Sequence, residues 1–263
     1  MTRRGFIGLA GSATLLRGQT SSQVRGLEIA RKSIQALGGD AFRFMPGRTE
    51  VGRAYSFYRE KISGLDIAHI STKYLPAQEN GALRMKQRQV FGKKQDSWVI
   101  LTDTGAWQVN YKGATPLPAE RVRQFTDSTL HEIFYILRAR IDEPGMSFES
   151  HGRDVVENQP VEVVEIYDSE NRSVTVWFHQ DTLLPVKQRF KRWDDLIKDQ
   201  REEVTRYTKY REAGNGVMWP HDTQRERDKE KTFELYSDKV TIGGNLEDRL
   251  FGLPPRIDIL KLK

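Results

Sequence analysis

The chain of 263 residues contains no cysteine. This absence excludes disulfides, thiolate metal sites, a cysteine nucleophile and the lipid-modified cysteine that tethers bacterial lipoproteins to a membrane. Long hydrophobic runs are also missing: beyond residue 20, no segment is apolar over the roughly 20 residues that a transmembrane helix needs. We therefore expect no membrane span in that part of the chain. Its length is sufficient for an ordinary hydrophobic core without covalent cross-links.

Motifs for several kinds of chemistry are missing as well. The five histidines, His69, His131, His151, His179 and His221, are scattered and lack the spacing of a zinc site. No glycine-rich phosphate loop, Gly-x-Ser-x-Gly elbow or aspartate-rich calcium loop is present. We therefore expect no catalytic residue, no metal ligand and no cofactor. A Ser-His-Asp triad is defined by geometry, so an exported hydrolase with an unrecognised site stays open as an alternative.

Charge of one sign is not concentrated in the body of the chain. The net charge is +6, with 42 Lys and Arg against 36 Asp and Glu. Residues 1–20 hold three arginines and no acid, so the remainder carries only +3. Positive and negative residues alternate there, as in residues 225–231, which is typical of a solvated surface. We therefore predict no nucleic-acid partner.

The first 20 residues resemble a twin-arginine export signal. Arg3 and Arg4 are followed by Gly5 and then by an apolar run that reaches Leu16. We predict that residues 1–20 direct export to the periplasm and that residues 21–263 form one domain. No Ala-x-Ala cleavage site follows, so an uncleaved signal anchored in the inner membrane is an alternative. A frayed basic terminus is the structural alternative.

Two segments have the periodicity of amphipathic helices. In the first, Ser22 is a candidate N-cap, apolar residues recur from Val24 to Leu37, and Gly38-Gly39 predicts the end. The second begins near Asp127 or Ser128, and Pro144-Gly145 ends it. Its predicted apolar face consists of Leu130, Ile133, Phe134, Leu137 and Ile141.

The rest of the chain has the period of two that predicts strands. The expected strands are Thr49–Tyr58, Asp66–Tyr74, Ala82–Phe91, Asp96–Thr102, Gly105–Tyr111, Met146–Arg153, Val161–Tyr167, Ser173–His179, Leu184–Trp193, Arg201–Tyr210, Val217–Glu226, Thr232–Tyr236 and Val240–Ile242. Short links between them predict an antiparallel meander. The fold class is therefore mainly β (α+β), as an incomplete antiparallel β-barrel of about a dozen strands covered by two or three helices.

Candidate site residues come from two groups. Asp194-Asp195 and Glu202-Glu203 lie in a charged hairpin, where adjacent residues point to opposite faces, so solvent exposure is expected. Apolar residues near the strand–helix junction are candidates to line a ligand cavity in the curled sheet. These residues are Trp98, Trp107, Tyr111, Phe134, Leu137 and Phe178, with Phe125 nearby. An ordinary core is the alternative for all of them.

Several short motifs, in order, resemble the periplasmic lipoprotein-carrier superfamily, the LolA/LolB-like fold. They are Ala36-Leu-Gly-Gly39, Gly105-Ala-Trp107, Asp181-Thr-Leu-Leu-Pro-Val-Lys187, Gly216-Val-Met-Trp-Pro220 and Asn245-Leu-Glu-Asp-Arg-Leu-Phe251 before Pro254-Pro255. The resemblance covers roughly residues 24–255. It implies an incomplete barrel that helices close over a hydrophobic cavity for acyl chains. It also implies an arginine that latches the lid, to which the motifs give no position here.

The hypothesis is a non-enzymatic envelope protein that binds or carries a hydrophobic ligand, either a lipid or a lipoprotein acyl chain. The first alternative is a structural or regulatory envelope protein of the same fold that takes no ligand. Such a protein would dock an envelope protein partner through an exposed strand edge or the charged hairpin.

Overall fold

The computed structural model describes residues 20–76, 83–102, 105–195, 197–244 and 246–262. Its helices are α1 (Ser21–Ala36), α2 (Asp40–Arg43), α3 (Ala119–Leu130) and α4 (Ile133–Tyr135), which continues as a π-helical turn (Ile136–Arg140). A 3-10 helix spans Asp248–Phe251. The strands are β1 (Gly47–Tyr58), β2 (Lys61–Tyr74), β3 (Met85–Phe91), β4 (Trp98–Leu101), β5 (Ala106–Asn110), β6 (Gly113–Pro116), β7 (Ser147–Val156), β8 (Gln159–Tyr167), β9 (Ser173–His179), β10 (Pro185–Asp194), β11 (Asp199–Glu212), β12 (Met218–Arg227) and β13 (Glu230–Ile242).

All described strands belong to one antiparallel sheet. Its order is β6-β5-β4-β3-β2-β1-β13-β12-β11-β10-β9-β8-β7. The pairing of β1 with β13 joins the N-terminal and C-terminal halves, and the sheet is not closed between β6 and β7. This open half-barrel with few helices confirms the predicted fold class.

Most predicted strands are present, and the set of strands differs from the prediction at two places. Ser173–His179 is confirmed as β9. The predicted break between Thr232–Tyr236 and Val240–Ile242 is wrong, because β13 is continuous through these residues. The pairing of β13 with β1 shifts in register at this point, as at a β-bulge. Strand β6 was not predicted, since its four residues include Gly113 and Pro116 and give little β signal.

Helix α1 begins two residues earlier than predicted. Thr20, rather than Ser22, is the N-cap, and it forms a capping box with Gln23. Ile29 and Ile34 are buried on the side that packs against the sheet. Gly26 permits this approach, because a Cβ there would lie 2.4 Å from the carbonyl oxygen of Phe148.

Residues 117–146 connect the two edge strands, and we call this segment the crossover. The single helix predicted from Asp127 or Ser128 to Ile141 is wrong. Helix α3 ends at Leu130, and a new helix begins after Glu132, whose side chain accepts a hydrogen bond from the backbone amide of Tyr135 at 2.8 Å. The sequence predicts one helix because the apolar periodicity continues through this break.

The sheet has a helix-facing side and an outer side. Strand alternation and register place Phe178, Tyr207 and Trp219 on the helix-facing side, in one buried cluster with α1, α2 and α4. Trp177 belongs to a separate cluster on the outer side. The two predicted helical segments therefore cover one side of the sheet, as expected.

The edge at β6 is occupied by the chain itself. The amide of Ala114 donates to the carbonyl of Asp258 at 2.8 Å, and the amide of Leu260 donates to the carbonyl of Ala114 at 2.8 Å. The C-terminal residues thus add an extended segment to the edge strand through a bridge between Ala114 and Ile259.

Some predictions fall outside the described residues. They include the export signal up to residue 19, Ala82 at the predicted start of the third strand, and Asn245 in the last resemblance motif. In the portion of the chain that is described, no helix has both the length and the apolar character needed to cross a membrane.

Candidate functional site

The candidate ligand site lies where the crossover packs against the sheet. Phe134 and Leu137 come from the crossover and Phe178 comes from β9, and all three are at most 1% exposed in the same cluster. The ring of Phe134 lies 4.6 Å from that of Trp219 and 4.9 Å from that of Tyr207. Aromatic side chains therefore fill the space between the sheet and its cover.

The structure does not bring all six predicted cavity residues together. Trp98 and Trp107 pack on the outer side of the sheet, against a cluster that contains Ile100 and Val109. Tyr111 lies in the turn after β5 and is 82% exposed. Whether any of the six contacts a ligand stays a prediction.

Polar contacts hold the crossover in place at its margins. Arg138 donates to the carbonyl of Met45 at 2.7 Å, and its guanidinium lies 3.9 Å from the centroid of the Tyr74 ring. Arg84, next to β3, donates to the carbonyl of Ala139 at 2.6 Å. Sequence patterns alone did not assign either arginine to the cover, because both contacts join residues that are more than 50 positions apart.

A buried arginine lies on the helix-facing side of β1. Arg48 donates to Glu50 at 2.8 Å and to the hydroxyl of Tyr74 at 2.6 Å, and it lies 4.1 Å above the ring of Trp219. Sequence reasoning missed this cluster, although opposite charges at positions i and i+2 of a strand face the same side. These contacts give the buried guanidinium of Arg48 a counter-charge and hydrogen-bond acceptors beside the core.

Glu132 is an ionisable group between the two halves of the crossover. Burial raises its pKa, while the charge of Arg48 and hydrogen bonds from the amides of Tyr135 and Phe134 lower it. Burial also raises the pKa values of Tyr207 and Tyr210 well above the ordinary tyrosine value, with a further contribution from Glu132. The covered face thus contains three ionisable groups whose pKa values are raised by burial.

A second concave feature is a polar groove of about 720 Å³. One wall is α3, with Arg123 and Asp127, and the other is the C-terminal half of β10. The stacked rings of His131 and Phe190 also line it, with centroids 4.3 Å apart. The sequence predicted an apolar cavity and did not predict this charged groove.

The remaining candidate groups do not form a catalytic cluster. Glu203 accepts hydrogen bonds from Arg192 and Arg227, whereas its neighbour Glu202 lies on the other side of β11, opposite Lys191. Within the described ranges, no three His, Asp or Glu side chains come together in a way that would hold a metal ion. Glu202 and Glu203 thus point to opposite sides of β11, as predicted. The expected solvent exposure of Asp194 is wrong, because its carboxylate accepts a hydrogen bond from Arg201 and the residue is 9% exposed.

Comparison with solved structures shows the fold of this chain. A DUF1329 family protein from Desulfovibrio piger aligns with a TM-score of 0.55 at 14% identity, over 89% of this chain and 98% of that one. A domain described as an outer membrane lipoprotein-sorting protein, from Vibrio parahaemolyticus, gives 0.53 at 15%, over 88% and 97%. A LolA superfamily protein from Nitrosomonas europaea gives 0.52 at 13%, over 86% and 97%.

The structural neighbours are thus DUF1329 and LolA-superfamily proteins, which confirms the resemblance stated from the motifs at the level of fold. No protein-family model matches the chain. No curated protein matches it either.

Proposed function

We propose that this protein binds an apolar ligand, the acyl chain of a lipid or lipoprotein, between the sheet and the crossover, and that it does so as a carrier without catalysis. The observation that supports this most is the burial of Phe134 and Leu137 from the crossover against Phe178 from the sheet. If the cover moves, a contiguous apolar surface becomes available to a ligand, and an acyl chain gains about 0.8 kcal/mol for each CH₂ group that it buries.

The part of the crossover that covers the sheet, residues 133–140, is called the cover, and two of its features suit such a movement. The segment 133–140 pairs with no described strand, so it can leave without breaking the strand ladder. Its second part is a π-helical turn, Ile136–Arg140, and such turns occur frequently at functional sites. The similarity in fold to a lipoprotein-sorting domain supports the choice of acyl chains as the ligand class.

The same proposal includes the place of action. An envelope location fits the arginine pair and apolar run of residues 1–20, with residues 21–263 as the exported domain. Export to the periplasm and anchoring by an uncleaved signal are both compatible with ligand binding.

A second candidate function is a structural or regulatory envelope protein that takes no ligand. The centroid of the Phe134 ring lies within 5 Å of the centroids of the Tyr207 and Trp219 rings. This packing fills the covered space. A permanently filled space favours a scaffold over a carrier.

Native mass spectrometry of the protein isolated from its own cell envelope, followed by organic extraction, separates the two candidates. A carrier retains a lipid of defined mass and, once stripped, binds a fluorescent fatty acid saturably. Hydrogen exchange should then increase in residues 133–141 on binding, because the ligand displaces the cover. An empty protein that never binds the fatty acid would contradict the carrier and favour the scaffold.

A matched pair of variants tests the role of the cover. Arg84→Met removes the hydrogen bond to Ala139 and the ion pair with Glu143, so we expect severalfold faster fatty-acid uptake. Arg121→Met changes an exposed residue of α3 in the same way and should leave uptake unchanged. Equal rates in both variants would contradict entry beneath the cover.

A further inference from the structure

Helix α3 contacts both the polar groove and the buried cluster beneath the cover. Its groove-lining residues, together with the C-cap, are polar and recur at helical spacing: Glu120, Arg123, Gln124, Asp127 and His131. Phe125 and Leu130 instead pack against the buried cluster. The same helix therefore has a polar face towards the groove and apolar side chains towards the space that we propose for the acyl chain.

Two stacked rings lie between the groove and the cluster. Phe190 is 6% exposed, belongs to the buried cluster and also lines the groove. His131 stacks on it and lines the groove as well. The charged lining thus begins directly beside the apolar side chains of the cluster. A molecule with an apolar part and a charged part can place the first in the cluster and the second in the groove.

The charged lining of the groove contains both signs. Five Lys and Arg side chains and six carboxylates face it. Some of these groups are paired with residues of the walls, as Arg172 is with Asp168 and Asp194 is with Arg201. A ligand that carries charge of one sign meets repulsion as well as attraction in such a lining. A ligand that carries both signs finds a counter-charge for each of them.

Other ion pairs of the lining are loose enough to be exchanged for contacts with a ligand. Arg123 on α3 lies 3.7 Å from Asp195 across the groove, and both side chains are more than half exposed. Arg189 lies 3.9 Å from Glu202, at the outer limit for an ion pair. Exposed pairs of this kind contribute little to stability, so separating them costs little.

The exposed indole of Trp193 adds a site for a positive charge. Trp193 is 58% exposed and lines the groove, and its Nε1 donates to the carboxylate of Asp195 at 3.2 Å. The face of an indole attracts an ammonium group, and the neighbouring carboxylate supplies the counter-charge. On the facing wall, the guanidinium of Arg123 has the planar geometry that binds two oxygens of a phosphate.

We propose that the groove binds a zwitterionic head group, a phosphate joined to an ammonium as in phosphocholine and phosphoethanolamine, and that this head group belongs to the lipid whose acyl chain lies beneath the cover. Trp193 and Asp195 contact the ammonium, and Arg123 contacts the phosphate. The inference rests on the proposed carrier function and selects zwitterionic phospholipids from the wider class of acyl-chain ligands. The groove, at about 720 Å³, has the volume of a small-molecule site.

Isothermal titration calorimetry of the full chain with three amphiphiles tests the proposal. Dodecylphosphocholine, dodecyl phosphate and dodecyltrimethylammonium share one alkyl chain and differ in the charge of the head group, and each is used below its critical micelle concentration. We expect dodecylphosphocholine to bind about tenfold more tightly than either of the others, because it alone has a counter-charge for both signs of the lining.

Two variants of the loose pair separate the two charges of the head group. Asp195→Asn should weaken dodecylphosphocholine by about three- to tenfold without weakening dodecyl phosphate, since it removes the counter-charge of the ammonium alone. Arg123→Gln should weaken both of these ligands and leave dodecyltrimethylammonium unweakened. Asp238→Asn and Arg53→Gln are the matched controls, because they change an exposed ion pair outside the groove in the same way. Both should stay within about twofold of the wild type.

A fluorescent fatty acid, titrated into the same samples, distinguishes failure of the head-group site from failure of the carrier function. If the fatty acid binds but the three amphiphiles bind equally, the head-group site is wrong and the carrier function stands. Equal losses for Asp195→Asn and Asp238→Asn would overturn the head-group site in the same way. If neither the fatty acid nor any amphiphile binds, the carrier function itself is wrong.

Discussion

The imidazole of His131 lies parallel to the ring of Phe190, at an interplanar angle of 7° and a centroid distance of 4.3 Å. This stack joins the C-terminal end of α3 to β10, so it connects the crossover with the sheet. His131 is 4% exposed, and its Nδ1 lies 2.7 Å from the carbonyl oxygen of Asp127. The position of α3 therefore depends on the packing of a buried imidazole.

The first prediction concerns pH and His131. Burial lowers the pKa of His131, against the opposing influence of Asp127 and Asp168, and Arg172 adds to the lowering. Just below the ordinary histidine value of 6.5, the unfolded chain binds a proton that the native protein does not bind, so stability falls as the pH falls. His131→Phe keeps a stacked ring without titration. Urea unfolding at pH 7.5 and 5.5 should show a smaller fall in stability for this variant, and an equal fall would contradict the assignment.

The second prediction is that Glu132 makes the free energy of unfolding depend on pH in the opposite direction. Its raised pKa means that, above about 4.5, the native protein retains a proton that the unfolded chain has released, so stability falls as the pH rises. Glu132→Gln removes this effect and keeps an oxygen to accept the amide of Tyr135. We expect the variant to gain stability relative to wild type between pH 4 and pH 7, as measured by urea unfolding. A difference that does not change with pH would count against a buried, titrating carboxyl.

Much of the fold could be predicted because it depends on local patterns. Alternation defined Ser173–His179 correctly, and short turns between strands predicted the meander. The break at Glu132 could not be predicted in this way. It depends on a side chain that caps a new helix, while the apolar residues before and after it keep the same spacing. Phe134 and Leu137 were nevertheless placed on the buried face, since burial follows the apolar pattern through the break.

The candidate sites were harder to predict because they are assembled over long sequence separations. Trp107 and Phe178 were both predicted to line the cavity, but the register of the sheet puts them on opposite sides. The groove beside Lys191 has α3 as one wall and β10 as the other, and sequence patterns do not show that these two segments lie together. Sequence patterns therefore identified apolar residues without separating the sides of the sheet.

The buried pair Arg48–Glu50 allows a third prediction. Arg48→Met leaves Glu50, which is 6% exposed, with a distant hydroxyl of Ser237 at 3.4 Å, so we expect a loss of about 3–5 kcal/mol in unfolding free energy. Adding Glu50→Gln to the same chain should recover part of this loss, because it removes the unpaired charge.

The exposed pair Arg53–Asp238 is the matched control for that double-mutant cycle. Arg53 lies on β1, like the buried pair, and Asp238 lies on the neighbouring strand β13. The guanidinium of Arg53 is 3.2 Å from the carboxylate of Asp238, but both side chains are about half exposed. The corresponding cycle, Arg53→Met with Asp238→Asn, should show a coupling energy of about 0–1 kcal/mol. Equal coupling energies in the two cycles would show that burial of Arg48 and Glu50 does not strengthen their interaction.

The fourth prediction separates two residues that the sequence treats alike. Phe134 and Tyr111 are both aromatic and were both candidates to line the cavity, but Phe134 is 1% exposed and Tyr111 is 82% exposed. Phe134→Ala should cost about 3–5 kcal/mol, because it leaves a cavity between the crossover and the rings of Tyr207 and Trp219. Tyr111→Ala should stay within about 0.5 kcal/mol of the wild type. Urea unfolding measures both, and a small effect of Phe134→Ala would mean that the crossover already stands away from the sheet in solution, as an open carrier would.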